Sequence, residues 1–332
     1  MVADIQEMPV SGRDYPRTWE QFLDWFADND ACIEYLEGIR WPDGFVCPRC
    51  GRINEPYRTS RGRLVCRDCR HQCTVTAGTI FDKTRTSLRS WLAAVWYITN
   101  QKQGVTALGL QRVLGLGSYQ TAWTMLHRLR RAMIRPGRER LSGVVEVDEC
   151  FIGHAPLTRK PAKKRRKRPV NQQDKRNTII AVAVEIKVTR GFGRIRLRRI
   201  ATPSQADLLP FIKDSIEPGS IVHTDGSAAY RSLPKKGYRR MKTVMSGNEK
   251  PAHVSMPGVH RVAALLKRWL LGTHQGAISP QQLDYYLDEF TFRFNRRTSR
   301  SRGLLFYRLL EQAMVTKPVT YGQITEGSKH KM

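Results

Sequence analysis

The chain has 332 residues, and its 57 Lys and Arg against 29 Asp and Glu give a formal net charge of +28 at pH 7. Hydrophobic residues make up 40% and aromatic residues 9%, which is enough to fill real cores and excludes a globally disordered chain. The longest apolar stretch, residues 91–98, is far shorter than the ~20 residues that cross a bilayer, and residues 1–10 lack a cationic segment followed by an apolar one, so we expect neither membrane insertion nor secretion.

The positive charge is unevenly placed along the chain. Residues 1–40 contain nine acidic and three basic residues, so the excess of Lys and Arg falls on the remainder. A field of this sign attracts polyanions and speeds their association, which predicts a nucleic-acid partner. Anionic lipid is the alternative, but it requires a basic amphipathic helix with an exposed apolar face, and the basic residues here are scattered over many segments.

Residues 1–40 are predicted to form an acidic helical segment. Thr18 and Gln21 have the spacing of a capping box, and Phe22, Leu23 and Phe26 follow at helical spacing. We therefore expect one or two helices over residues 18–37 that pack on the segment after them.

Four of the seven cysteines form two Cys-x-x-Cys pairs separated by fifteen residues. Zn²⁺ binds four thiolates in a tetrahedron, and two such pairs on facing hairpins supply them. We predict a structural zinc in a zinc ribbon over residues 41–82. Its ligands are Cys47, Cys50, Cys66 and Cys69, with His71 and Cys73 as alternatives for the fourth position.

Helical periodicity continues over residues 84–136. Ser87 can cap a buried helix, and residues 105–133 predict two helices joined by a Gly-containing turn, as in a helix-turn-helix motif. The second helix would place its first residues on bases and its basic residues on phosphates. The alternative is a plain helical hairpin with solvated arginines. The predicted base contacts are Tyr119, Gln120 and Thr121, and the predicted phosphate contacts are Arg128, Arg130 and Arg131.

From residue 143 the pattern changes to that of a sheet. Residues 144–148, 178–186, 193–200, 221–226 and 238–244 predict five strands, with helices over 204–216, 228–233 and 257–271 and another that starts at Ser279-Pro280. A basic loop, residues 157–176, separates the first two strands. We interpret it as a phosphate-binding arm, with a solvated insertion as the alternative. Its basic block is Lys163, Lys164, Arg165, Arg166, Lys167 and Arg168.

Two of the predicted strands end in an aspartate, Asp148 and Asp225. Adjacent carboxylates repel unless a cation lies between them, and paired hard oxygen ligands are what two-metal phosphoryl transfer requires. Each aspartate alone is equally typical of a turn or a cap. Together, in this strand order and in so basic a chain, they predict a divalent-metal site.

The ordered motifs resemble those of bacterial insertion-sequence transposases of the DDE type, which join a zinc ribbon to an RNase H-like core. The resemblance spans about residues 20–312 and rests on the four cysteines and on residues 145–153 (VEVDECFIG), 223–230 (HTDGSAAY), 265–268 (LLKR) and 286–297 (YLDEFTFRFNRR). It implies an α+β/α/β multidomain chain with a mixed-sheet catalytic core over 140–312 and a tail over 313–332. It also implies a cytoplasmic, nucleoid-associated protein.

The same resemblance assigns the catalytic residues. The first two acids fall on Asp148 and Asp225, the third position falls on His260 instead of the usual Glu, and a basic residue falls on Lys267 two helical turns later. An imidazole suits Mn²⁺ or Zn²⁺ better than Mg²⁺, so the metal preference stays open. The rival acids are Glu249, Asp288 and Glu289 for the third position, and Glu146 and Glu149 beside Asp148.

The activity implied by the resemblance is cutting at the ends of a mobile element and joining the freed 3′-hydroxyl to target DNA. Two Mg²⁺ or Mn²⁺ ions would serve the reaction, and the protein would act as a dimer or larger assembly on double-stranded DNA. Two alternatives stay open at this point. One is a zinc-ribbon and helix-turn-helix regulator without enzymatic activity, and the other is a metal-dependent nuclease that does not join strands.

Overall fold

The structure is a computed structural model that describes residues 8–60, 62–135, 137–153, 177–187, 189, 191–243, 252–276 and 278–326. The chain divides into two compact units. The first unit contains Met1–Arg135 and Ser299–Ser328, and the second contains Pro136–Thr298 and Lys329–Met332. No helix among the described residues is both long enough and apolar enough to span a bilayer.

The helices are α1 (Trp19–Trp25), α2 (Asn29–Arg40), α3 (Leu88–Asn100), α4 (Ala107–Leu114), α5 (Tyr119–Ala132), α6 (Gln205–Ser215), α7 (Ala252–Ser255), α8 (Pro257–His274), α9 (Leu283–Asn295), α10 (Arg302–Val315) and α11 (Tyr321–Thr325). The strands are β1 (Tyr57–Arg58), β2 (Leu64–Val65), β3 (Gln72–Cys73), β4 (Val144–Gly153), β5 (Asn177–Ile186), β6 (Phe192–Ile200), β7 (Ile221–Thr224) and β8 (Arg239–Lys242). Two 3₁₀ turns, Ala228–Tyr230 and Pro234–Lys236, follow β7.

The core of the first unit is aromatic. The ring of Phe306 on α10 lies 5.8 Å from that of Phe22 on α1 and 5.5 Å from that of Trp96 on α3, and Phe306 is fully buried. Phe22 and Phe26 are buried as the apolar periodicity predicts, whereas Leu23 is 38% exposed. The predicted face of α3 is buried. The Thr18 hydroxyl accepts from the Gln21 amide at 3.2 Å, as the capping-box spacing predicts.

Helix α10 corrects the predicted C-terminal limit of the catalytic core. Ser299–Ser328 belong to the first unit, so the long segment of the second unit, Pro136–Thr298, ends before the predicted limit at residue 312. Residues 313–326 are also not a simple tail, because Ala313 and Ile324 are fully buried. The sequence does not predict that α10 packs in the first unit, since the periodicity of an amphipathic helix does not show which core the helix joins.

The zinc ribbon and the two helices of the helix-turn-helix-like segment form as predicted. Strands β1, β2 and β3 make a three-stranded antiparallel sheet. Gly115 ends α4 in the left-handed conformation, and Ser118 caps α5 through the Thr121 amide at 3.1 Å. Glycine at that position and a serine three residues later are the local signals for this turn.

The second unit is a five-stranded mixed sheet in the order β6-β5-β4-β7-β8. Strands β4, β5 and β6 pair antiparallel, whereas β7 pairs parallel to β4 and β8 parallel to β7. In an RNase H-like sheet, three antiparallel strands are followed by two parallel strands next to the first of the three. Strands β4, β5 and β6 are the antiparallel three here, and β7 and β8 are the parallel two.

Both faces of this sheet are covered. Val145 and Val147 of β4 pack into one core with α6, and Cys150 packs into another with α8 and α9. Alternation along β4 therefore directs Glu146 and Asp148 to the face covered by α8. Helix α9 begins at Leu283, later than the predicted start at Ser279-Pro280, because residues 280–282 form a turn.

Candidate functional site

The four predicted zinc ligands come together in the ribbon. The sulfur atoms of Cys47, Cys50, Cys66 and Cys69 all lie within 4.8 Å of one another, with separations of 3.6 Å for Cys47–Cys69 and 3.8 Å for Cys50–Cys66. A tetrahedron with Zn–S bonds of about 2.3 Å has edges of about 3.8 Å. The site therefore has the ligands and dimensions of a structural Zn²⁺ centre.

Hydrogen bonds around Cys66 favour the thiolate form that zinc binds. The backbone amide of Cys69 and the side-chain amide of Asn54 donate to the Cys66 sulfur and lower the pKa of this thiol to about 6. The Asn54 Nδ2 to Cys66 Sγ distance is 3.2 Å. Cys73 lies in β3 as part of the ribbon core, outside the four-sulfur cluster, so the alternative ligand is not needed. Sequence spacing alone did not reveal Asn54.

The sheet of the second unit brings Asp148 and Asp225 level with each other. The parallel register pairs Val145 with Val222 and Glu146 with His223, and the same register two residues further sets Asp148 opposite Asp225. The reason differs from the one predicted. Asp148 lies in the middle of β4, and β7 is the strand that ends, at Thr224.

Local hydrogen bonds fix both carboxylates. Asp148 Oδ1 accepts from the Glu149 amide at 2.8 Å, and Asp225 Oδ1 accepts from the Ser227 amide at 2.9 Å. The Arg240 guanidinium on β8 donates to the carbonyl oxygens of Asp225 and Ser227 at 3.0 and 3.1 Å. Burial raises the pKa of Asp148, and the neighbouring Asp225 carboxylate adds to this, while His260 opposes it.

His260 and Lys267 lie on the same face of α8, seven residues apart, and line one cavity with Asp148. The cavity encloses about 210 Å³ and is also lined by Glu149, Phe151 and Ala263. His260 Nε2 is buried and has no hydrogen-bond partner among the described residues. A buried ring nitrogen of this kind is available to a ligand, which fits the predicted third metal-binding position.

The ligand atoms of Asp148, Asp225 and His260 are less closely grouped than the sulfur atoms of the zinc site. Among the described residues, the four cysteines are the one group of three or more His, Cys, Asp or Glu ligand atoms that lie within 4.8 Å of one another. Asp225 also does not line the cavity. Two carboxylates and one unpaired imidazole fit a divalent ion by their chemistry, and the mixed oxygen and nitrogen set favours Mn²⁺ over Mg²⁺.

Three of the rival acids, Glu146, Glu149 and Glu289, have other partners. Glu289 is fully buried and its Oε1 accepts from Arg293 Nε at 2.8 Å, the helical pair that its spacing predicts. Glu149 Oε1 accepts from the Tyr230 hydroxyl at 2.6 Å, and burial raises the pKa of Glu149 to about 7. Glu146 accepts from the Val259 amide at 2.9 Å. Glu249 and the basic block at 163–168 lie outside the described residues.

The predicted DNA-contact residues of α5 divide into two groups. Tyr119 and Gln120 at its start are exposed, and Thr121 beside them is half-buried. Arg130 is 1% exposed and its guanidinium donates to the Val105 carbonyl, so the prediction that it contacts phosphate is wrong. The Arg128 guanidinium donates to the carbonyls of Val319 and Ile80, which gives it a structural role as well. Arg131 is half-buried.

Comparison with known proteins bears on both units. The family described as transposase zinc-ribbon domain matches residues 27–72, and the family described as ISXO2-like transposase domain matches residues 140–295. A curated relative is 28% identical over 280 residues, covering 81% of this chain and 91% of its own length. It is described as an uncharacterized protein in transposable element ISH50 of Halobacterium salinarum.

Solved structures that resemble the chain include two of Mos1. The Mos1 strand transfer complex is 14% identical and covers 73% of this chain and 79% of its own, with a TM-score of 0.27. A pre-cleavage Mos1 transpososome is 13% identical and covers 73% and 80%, with a TM-score of 0.25.

Proposed function

We propose that the chain is the DNA transposase of an insertion sequence, because residues 140–295 match the ISXO2-like transposase domain and residues 27–72 match the transposase zinc-ribbon domain. In this proposal it cuts the DNA at the ends of its element and joins the freed 3′-hydroxyl to target DNA. The observation that supports the proposal is that Asp148 and His260 line one cavity, while the register of β4 and β7 brings Asp225 towards Asp148. These positions link the family match to residues suited to phosphoryl transfer.

Asp148, Asp225 and His260 would hold the divalent ions. Bound there, Mn²⁺ or Mg²⁺ would supply activation of the attacking oxygen and stabilisation of the leaving one. The chain's own contribution would be to hold the two carboxylates near each other and to offer the buried imidazole nitrogen of His260, which has no hydrogen-bond partner among the described residues. Lys267 is exposed on the same face of α8 and would bind a phosphate oxygen of the strand being transferred.

The start of α5 and the zinc ribbon would bind DNA. Tyr119 and Gln120 are exposed at the start of α5, where a recognition helix contacts bases. On the ribbon, the guanidinium groups of Arg67 and Arg70 lie 4.8 and 5.7 Å from the ring centroid of the exposed Tyr57, an arrangement that suits contact with nucleic acid. The net charge of +28 supports the same partner. Pairing of two element ends would require at least a dimer, acting at the nucleoid.

The test uses the zinc-loaded full chain with DNA that carries the ends of the element, in Mn²⁺ and separately in Mg²⁺. Asp148→Asn and Asp225→Asn should abolish cutting and joining while DNA affinity stays within a few-fold of wild type, because only the phosphoryl-transfer step is affected. The matched control is Asp214→Asn, an exposed carboxylate on α6 that pairs with Arg198, which should remain active.

Two outcomes would overturn the proposal. DNA binding without cutting or joining in either metal would favour a regulator. Cutting without joining of a 3′-hydroxyl end would favour a nuclease. Wild-type joining that both aspartate variants lose would support the transposase.

A further inference from the structure

The helix that carries His260 begins without a side-chain cap of its own. Helix α8 starts at Pro257, and the preceding Met256 makes no capping bond. The first backbone N–H groups of a helix have no partner within it, so a buried helix start needs an acceptor from elsewhere. That acceptor is Glu146 on β4, whose carboxylate accepts hydrogen bonds from the backbone N–H groups of Gly258 and Val259.

This contact is buried and tightly packed. Glu146 is 3% exposed. A Cβ atom at Gly258 would lie 2.8 Å from Glu146 Oε2 and 2.9 Å from Ile186 Cδ1, so any larger residue there must displace the Glu146 carboxylate, the Ile186 side chain or the helix start. A carboxylate at a helix N-terminus also interacts favourably with the helix dipole.

The two partners of this contact stand next to the predicted metal-binding residues. Glu146 precedes Asp148 by two residues on the same face of β4, and Gly258 precedes His260 by two residues in α8. We propose that Glu146 is a positioning residue that caps α8 and thereby sets the distance between Asp148 and His260. This inference rests on the proposed function, because it assigns Glu146 a role in the same site without contact to DNA or metal.

Two variants of Glu146 separate positioning from metal binding. Glu146→Gln keeps an acceptor oxygen at the same reach and loses the charge, whereas Glu146→Ala removes the acceptor. Positioning predicts that Glu146→Gln stays close to wild type in Mn²⁺ affinity and in kcat for end cleavage. It predicts that Glu146→Ala binds Mn²⁺ about 10- to 100-fold more weakly and loses kcat with little change in KM for DNA. Loss in Glu146→Gln as large as in Glu146→Ala would identify a metal ligand and overturn the inference.

A second pair of variants leaves the carboxylate in place. Gly258→Ala disrupts the contact between the start of α8 and the Glu146 carboxylate, so its Mn²⁺ affinity should fall in the same direction as that of Glu146→Ala. The matched control is Gly272→Ala on the same helix, where an added Cβ meets nothing within 4 Å, and it should bind Mn²⁺ as wild type does. Equal Mn²⁺ affinity of Gly258→Ala and Gly272→Ala would contradict the inference even if Glu146→Ala failed to fold.

Mn²⁺ binding is followed by electron paramagnetic resonance of the free ion, on the zinc-loaded full chain without DNA. Wild type that binds Mn²⁺ but neither cuts nor joins DNA would overturn the proposed function alone, and the variants would still decide the role of Glu146. If the wild-type protein binds no Mn²⁺, both the proposed function and the proposed role of Glu146 are overturned.

Discussion

The hydrogen bond between Tyr230 and Glu149 offers a measurable test of how the site is held together. The Tyr230 hydroxyl, five residues after Asp225, donates to Glu149 at 2.6 Å, and the tyrosine is 1% exposed. Tyr230→Phe removes this bond and leaves the ring packed, so no cavity forms. Since a hydrogen bond to an ionised group contributes about 1.5–3 kcal/mol, we expect the free energy of opening this region to fall by about 2 kcal/mol.

The matched control is Tyr238→Phe in the same core. Its hydroxyl donates to the neutral carbonyl of Ile216 at 3.2 Å, so its loss should cost about 1 kcal/mol or less. Hydrogen exchange of the amides in β4 and β7 at pH 8, with zinc bound and no other divalent ion, measures both opening free energies. At pH 8 Glu149, with its pKa of about 7, is mostly ionised.

Two further measurements isolate the charged acceptor. In a Glu149→Gln background the cost of Tyr230→Phe should shrink towards that of Tyr238→Phe, because the acceptor is then neutral. The same shrinkage is expected in the wild-type background at pH 5.5, where the carboxyl is protonated. If Tyr230→Phe costs no more than Tyr238→Phe at pH 8, a charge-assisted bond between the strand of Asp148 and the turn after Asp225 is refuted.

Three other predictions concern stability and zinc. Asn54→Ala removes a donor to a zinc-bound sulfur and should weaken zinc affinity about 10-fold in a chelator competition. Gly303→Ala places a Cβ 2.1 Å from a backbone oxygen and should lower the free energy of unfolding by more than about 3 kcal/mol, whereas Gly322→Ala meets nothing within 4 Å. Burial raises the pKa of Glu185, but hydrogen bonds from Arg194 outweigh it and hold the pKa below 4.5. Glu185→Gln should therefore cost about 2 kcal/mol at pH 7 and progressively less as the pH falls below 4.5, since the wild-type carboxylate loses its advantage on protonation.

Each of these predictions has an opposite result that would count against it. Unchanged zinc affinity would mean that the Asn54 amide does not support the Cys66 thiolate. Equal urea midpoints for Gly303→Ala and Gly322→Ala would mean that the backbone there moves freely. A cost of Glu185→Gln that stays constant from pH 7 to pH 3 would mean that the ionised carboxylate is not what stabilises the fold.

Short-range patterns predicted most of the local structure. The two Cys-x-x-Cys pairs predicted the zinc site because all four ligands lie in two tight turns, whose geometry depends on neighbouring residues alone. The strands around Asp148 and Asp225 were predicted from apolar runs, and their level placement follows from the parallel register of β4 and β7. Structure that depends on residues close together in the sequence, such as a turn or a single strand, can thus be predicted from the sequence.

The errors concern contacts between distant segments. Arg130 has the composition of a phosphate ligand, yet it is buried against the Val105 carbonyl, because helical spacing does not show which face a neighbouring element covers. Glu146 was interpreted as a rival ligand beside Asp148, whereas its partner lies 113 residues away at Val259. A cap supplied across that distance leaves no local signal in the sequence.

The first unit is built from two segments that lie far apart along the chain, and this has a consequence for biosynthesis. The ring of Phe306, which fills the aromatic core beside Phe22 and Trp96, emerges from the ribosome only after the whole sheet of the second unit has been translated. Nascent or prematurely terminated polypeptides that stop before α10 would expose that aromatic surface to chaperones and proteases. Gene copies with an early stop codon would then yield no stable form of the first unit.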